Sequence, residues 1–316
     1  MKKKVITAIL LASLGMSLAA CGSSSDSAAD SSASTEASGT ADAAASEDAK
    51  TDTADSDFDS DSDISVISRE DGSGTRGAFI ELTGVEEKNG DEKVDMTTED
   101  AQIANSTSIV LTSVAGDDYA IGYISLGALD DSVKALQVGG VDATAENIKS
   151  GDYTLARPFN IVTKDGMDNE VAQDFINYIF SADGQAVVED EGYIAVETAD
   201  YESTQPSGKA VVGGSSSVSP LMEKLVEAYK EVNPNAELEL QTTDSTTGVS
   251  STQDGTYDIG MASRDLKDTE TGVTSQVIAT DGIAVIVNKN NPLNDITVDM
   301  IKQIYTGDVT SWADVQ

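Results

Sequence analysis

An α/β fold in two lobes is the architecture this sequence predicts, and three observations predict it. Over residues 63–316, short apolar runs of strand length alternate with stripes of helical spacing. That stretch is long enough for two hydrophobic cores. Its texture also breaks sharply with residues 22–62, which are nearly all Ser, Ala, Asp, Thr and Glu.

In chain order, strands are expected at Ile64 to Ile67, Ala120 to Leu126, Phe159 to Val162, Ala210 to Val212, Leu238 to Leu240 and Ile283 to Val287. Helical stripes run through Val171, Phe175, Ile176, Ile179 and Phe180, then through Val218, Leu221, Met222, Leu225, Val226 and Tyr229. A third passes through Val298, Ile301, Ile304 and Tyr305. The second stripe stops at Asn233-Pro234, because the residue before a proline is driven out of the helical region. These stripes are core faces. No internal repeat is visible.

Before the fold, residues 1–21 read as an export signal. Lys2, Lys3 and Lys4 precede an apolar run from Val5 to Leu18, too short for a membrane span. It closes on Leu18-Ala19-Ala20-Cys21, a pattern similar to the bacterial lipobox, in which the cysteine is acylated after cleavage. Residues 22–62 carry too little apolar surface to offset their ordering entropy, so a disordered acidic tether is expected there. As a flexible coil it would reach roughly 35 Å.

Composition removes several functions. The 316 residues hold 56 Asp+Glu against 19 Lys+Arg, no histidine and one cysteine. Without histidine there is no Ser-His-Asp apparatus and no imidazole base or metal ligand. A single cysteine excludes an internal disulfide, a four-cysteine zinc site and an iron–sulfur cluster. The formal charge of −37 argues against nucleic acid, whose binding is driven by Lys and Arg. No Walker-type phosphate loop and no acidic calcium loop occurs.

Three loops of small hydroxyl residues and glycine each stand at a helix entrance: Gly213 to Pro220, Asp244 to Val249, and Arg69 to Arg76. The first N–H groups of a helix lack internal partners and carry partial positive charge. Glycine admits a ligand close to the backbone, and hydroxyls add donors, so such loops suit an anion. Ordinary capping by Ser and Thr is the competing explanation of any one loop.

Ser68-Arg69-Glu70-Asp71-Gly72-Ser73-Gly74-Thr75-Arg76 resembles the signature loop of the phosphate-binding proteins of Pst-type ABC transporters. Gly214 to Pro220 is similar to that family's first anion loop. Asp258 to Arg264, Asp281 to Asn288, Ala120 to Gly127 and Arg157-Pro158-Phe159 also resemble family segments. The resemblance implies a two-lobe periplasmic-binding-protein-like fold of type II with two crossover strands as hinge. It implies a phosphate site of Ser216, Ser217, Ser245 and Ser263 with Arg69, Asp71, Ser73, Gly74 and Thr75. In that site Arg69 supplies the charge and Asp71 orients it. Ser263 stands where the family pattern can place an Asp to accept the proton of HPO₄²⁻.

The halves stand in reversed order relative to the family, as in a circular permutation or in a piece of a tandem duplication. The permutation predicts one lobe from 63–126 with 288–316 and a continuous lobe over 127–287, with crossovers at Tyr123 to Leu126 and Ile283 to Val287. The function implied is a lipid-tethered, monomeric receptor on the outer face of the cytoplasmic membrane. It would pass inorganic phosphate to ABC permease subunits served by a cytoplasmic ATPase, with no cofactor and no catalysis. A receptor for sulfate, molybdate or tungstate, and a surface or signalling protein that no longer transports, are the alternatives.

Overall fold

The computed structural model describes residues 58–90 and 92–315. The export signal, Cys21 and nearly all of the expected tether lie outside the described residues. Among the described residues, no helix is long and apolar enough to cross a membrane.

The chain enters through β1 (Ser65–Arg69), α1 (Gly74–Thr83), a polar hairpin of β2 (Glu86–Asn89) and β3 (Glu92–Asp95), β4 (Gln102–Ala104), α2 (Thr107–Ala115) and β5 (Ala120–Ser125). Short strands β6 (Lys134–Ala135) and β7 (Gln137–Val138) and helix α3 (Ala145–Ser150) follow. Next come β8 (Ala156–Lys164), α4 (Glu170–Ile179), α5 (Ala182–Asp190), β9 (Ile194–Ala195), β10 (Gly208–Ser215) and α6 (Ser219–Val232). The remainder is β11 (Ala236–Thr243), α7 (Ser245–Asp254), β12 (Ile259–Ala262), the long β13 (Val273–Val287), β14 (Asp295–Ile296) and α8 (Val298–Thr306). Each expected strand and helical stripe overlaps one of these elements.

The main sheet runs β11-β10-β12-β8-β13-β5-β1-β4. β10 pairs in parallel with β11 and β12 at one end, and β1 pairs in parallel with β4 and β5 at the other. Parallel neighbours need a crossover, and the chain provides helices. The two antiparallel ladders of β13 join these halves. Its residues Val273 to Gly282 lie on β8, and Ile283 to Val287 lie on β5.

Two apolar cores flank this join. One gathers Phe159, Phe175, Leu221, Leu225, Tyr229 and Met261. The other gathers Phe79, Tyr123, Leu136, Val285, Ile301 and Tyr305, with Phe79 and Tyr123 stacked at 3.9 Å.

Two boundaries move from their expected places. Leu136, Val138, Ile148, Tyr153 and Leu155 pack into the second core, and β6 and β14 tie this segment to β13 and β7. Residues 127–155 therefore join the lobe built from the chain ends, and the continuous lobe spans roughly 156–282. The crossovers are Leu155 to Arg157 and Asp281 to Ile283, neighbours in the ladder, whereas β5 lies wholly within one lobe. Apolar alternation marks a strand as buried; it carries no mark of which core it joins.

The second shift is at the start. Phe58, the lone aromatic of the expected tether, lies 5.1 Å from Tyr119 and 6.0 Å from Trp312, measured between ring centres. The backbone N–H of Trp312 donates to the Ser62 carbonyl at 3.1 Å, and Asp63 bridges Ser311. Ordered structure thus reaches back to at least Phe58, because one ring buried between two others offsets the cost of ordering a few residues.

Candidate functional site

The loops that leave the carboxyl ends of β1, β4, β10, β11 and β12 meet where the two lobes touch. This is the edge at which open α/β sheets gather their ligand-binding loops. Helices α1, α2, α6 and α7 start there. None of these four has an acid in its first turn, whereas α3, α4, α5 and α8 carry Glu146, Glu170, Asp183 and Asp299 respectively. An acid in the first turn ordinarily offsets the helix dipole, so the four converging ends leave that partial charge for something else. Only α7 has an acidic cap, Asp244, whose carboxylate accepts from the Thr247 N–H at 2.9 Å.

Arg69 is the charged hub, 2% exposed. Its Nε and Nη2 grip both carboxylate oxygens of Glu70 at 2.8 and 2.7 Å, and Nε also reaches the Ala104 carbonyl at 3.3 Å. A two-pronged carboxylate fixes the guanidinium plane. The remaining edge faces hydroxyls: Nη2 donates to Ser216 Oγ at 3.1 Å, and Nη1 to Thr107 Oγ1 at 3.4 Å. From below, Tyr123 supports the strand, its hydroxyl accepting from the Arg69 N–H at 3.2 Å and lying 2.9 Å from Ser68 Oγ.

The expected role of Asp71 is corrected here. Its side chain is 96% exposed and pairs with Arg76 at 2.8 Å. The tight turn in which the Ser73 N–H donates to the Glu70 carbonyl turns Asp71 outward, and the longer Glu70 side chain reaches back to Arg69 in its place.

Hydroxyls extend the network across the lobes. Thr75 Oγ1 lies 2.7 Å from Ser217 Oγ. The Ser217 N–H donates to Ser215 Oγ at 3.3 Å, and Ser215 Oγ donates to Ser263 Oγ at 3.0 Å. Ser263 Oγ stands 3.3 Å from Ser245 Oγ, which accepts the Ser263 N–H at 3.1 Å. Ser216, Ser217, Ser245, Ser263, Arg69 and Thr75 thus form one connected, buried cluster. Ser73 is buried beside it, its Oγ capping α1 by accepting the Arg76 N–H at 3.3 Å.

Gly74 sits between the lobes. A Cβ there would lie 2.5 Å from Ser245 Oγ and 2.7 Å from Ser263 Oγ, so only glycine lets the surfaces meet. Gly214 is required for a different reason: its φ is 140°, and a Cβ would lie 2.3 Å from the Met261 carbonyl oxygen.

Three participants were not singled out from the sequence. Ser215 and Glu70 lie within segments quoted for the resemblance but had no assigned role. Thr107 begins α2, after a loop without glycine, so a search for glycine-bearing loops passes over it. The legible signal was Asn105-Ser106-Thr107-Ser108 ahead of an apolar run, with Ser106 Oγ accepting the Ile109 N–H at 3.3 Å.

At the crossover, Asp281 and Arg157 face each other in the ladder and form a buried ion pair at 3.0 Å. Ser125 Oγ donates to the other oxygen of Asp281 at 2.9 Å. Burial outweighs the Arg157 charge and these hydrogen bonds, and pushes the Asp281 carboxyl up to about 6.

The chain matches the PBP superfamily domain over residues 47–183 and 199–316. It is 56% identical over 256 residues to a Streptococcus agalactiae protein named phosphate-binding protein PstS 2, covering 80% of this chain and 87% of that one. The crystal structure of a phosphate ABC transporter phosphate-binding protein from Streptococcus pneumoniae TIGR4 superposes with a TM-score of 0.64. That match has 46% identity and covers 81% of this chain and 100% of the other. A Bacillus subtilis phosphate-binding protein PstS is 34% identical over 135 residues, 42% of each chain.

Proposed function

Because this chain belongs to the PBP superfamily and, within it, to the PstS phosphate-binding proteins, we propose that it captures inorganic phosphate between its lobes outside the cell and delivers it to an ABC-transporter permease. One observation carries this reading: four helix entrances without first-turn acids converge on a single buried arginine among neutral hydroxyls. A dianion brought there meets the dipole ends, one formal charge already held in plane, and donors that need little reorganisation. Its ligands are Arg69, Thr75, Ser216, Ser217, Ser245 and Ser263, with the N–H groups at the start of α1.

The only carboxylate in hydrogen-bond contact with Arg69 among the described residues is Glu70, and Arg69 engages both of its oxygens. Ser263 is therefore the group able to accept the proton of HPO₄²⁻. Because a hydroxyl can also donate, rejection of sulfate is expected to be modest. The protein binds and releases its ligand unchanged and acts as a monomer. Cys21 carries the lipid that holds it to the membrane.

The halves of the chain are a circular permutation of the order in other members of the family. Support comes from two sides. The streptococcal relative aligns over 256 residues, so it shares this order, whereas the Bacillus match ends at 42% of either chain. The ends of the described body also lie side by side, the Ile64 N–H donating to the Thr310 carbonyl at 2.7 Å. Adjacent surface termini are what makes such a rearrangement tolerable.

Isothermal titration of the full chain with inorganic phosphate tests the receptor reading. One ion per chain is expected, with the binding heat lost in Arg69→Ala while thermal unfolding of the ligand-free chain persists. No heat and no thermal stabilisation at millimolar phosphate would overturn it.

A further inference from the structure

We propose that Thr107 is a ligand of the bound anion, contributed by a loop that glycine-based motif reading passes over. The inference rests on the phosphate-receptor reading and adds to its ligand set.

Thr107 is 4% exposed and sits on the lobe built from the chain ends, yet its atoms meet the other lobe's first anion loop. Its backbone N–H, an orphan donor as the first residue of α2, points to Ser216 Oγ at 3.3 Å. Its hydroxyl lies 3.2 Å from Ser217 Oγ, 3.4 Å from Ser216 Oγ and 3.4 Å from Arg69 Nη1.

All three hydroxyl contacts are longer than the roughly 2.7–2.8 Å of a settled O–H···O bond. Elsewhere on the lobe, threonine hydroxyls donate back to helix carbonyls, Thr112 to Ser108 at 2.9 Å and Thr83 to Phe79 at 2.6 Å. At the first position of its helix, Thr107 has no carbonyl four residues back within the helix to take its proton. It is a buried donor aimed at a charged arginine and two serines that are themselves ligands. An anion oxygen at that point accepts the Thr107 N–H, its hydroxyl and the Arg69 edge together. No neutral side chain satisfies that set.

Position adds a second role. Thr107 reaches Ser216 and Ser217 across the interlobe boundary, so its contacts form only when the lobes are together. Its hydrogen bonds therefore slow ligand escape.

The test compares the full chain with its Thr107→Val and Thr107→Ser variants by phosphate titration, stopped-flow release and thermal unfolding without phosphate. Valine keeps the branched shape and the backbone N–H and removes only the hydroxyl. The expected result is phosphate affinity weakened roughly ten-fold to a hundred-fold in T107V, the loss of one hydrogen bond to a charged group, mostly as faster release. Its ligand-free unfolding temperature should be unchanged, and T107S should bind within about three-fold of the parent, since the hydroxyl remains.

Parent-like affinity and release in T107V would overturn the proposal. So would a fall in ligand-free stability that accounts for the lost affinity, or equal weakening in T107S. Should T107V not fold, Thr107→Ala carries the same expectations. A parent chain that ignores phosphate sinks the receptor reading and this inference with it. A parent that binds beside a T107V that binds as tightly sinks this inference alone.

Discussion

At Gly74, the contact between lobes is decided by a missing methyl group. A Cβ would stand 2.5 Å from Ser245 Oγ on the facing lobe, inside any allowed approach. Alanine suits the first turn of a helix better than glycine does, so Gly74→Ala should leave ligand-free stability unchanged or slightly raised. Phosphate affinity should still fall at least about ten-fold, the effect of about 1.4 kcal/mol of obstruction. Titration beside a melting curve separates the two effects.

Asp281 offers a test of a different kind. Its carboxyl is pushed from an ordinary 3.8 up to about 6 by burial, so folding takes up a proton in that window. Stability from this group is complete below the ordinary value and is lost as pH rises through about 6. Asp281→Asn cannot titrate. Going from about pH 7 to about pH 5, the parent should gain about 1 kcal/mol over that variant, read from urea unfolding at each pH.

Among the elements, the segment between β9 and β10 depends on one carboxylate. Asp174 on α4 accepts from the Tyr229 hydroxyl at 2.7 Å, Ser203 Oγ at 2.8 Å, and the Tyr201 hydroxyl and Thr204 N–H at 3.1 Å. Burial alone would raise its pKa, but these bonds together hold it below the usual carboxylate range. Asp174→Ala leaves several donors without an acceptor and should cost about 2 kcal/mol or more. Limited proteolysis should then cut within Val196 to Ser207 before any other site.

Legibility varied by element for physical reasons. β10, β8 and the second half of β13 are buried on both faces and read as apolar runs. The β2–β3 hairpin is nearly all charged. It is held by ion pairs such as Lys93 with Glu86 and Lys302 with Glu87, both at 2.9 Å, which leave no periodicity. The first half of β13 has largely exposed residues and was not read as a strand. α2 opens on a β-branched run that favours extended structure, and the Ser106 cap turns it helical. In the site, the serines and Arg69 stood out because glycine accompanied them. The turn of Asp71 toward solvent was set by loop geometry that no spacing rule records.

For the whole molecule, two strand crossings side by side let one half pivot on the other without breaking the sheet, the common repertoire of hinge closure. What the sequence could not assign was the allegiance of 127–155, since membership of a core is a tertiary fact. The pairing of Ser62 with Trp312, and of Phe58 with the Trp312 ring, puts both ends of the described body on the half that also carries Arg69. A pull applied ahead of Phe58 therefore loads that half alone. A chain grafted to a bead or sensor chip through its leading end keeps its jaw free to work.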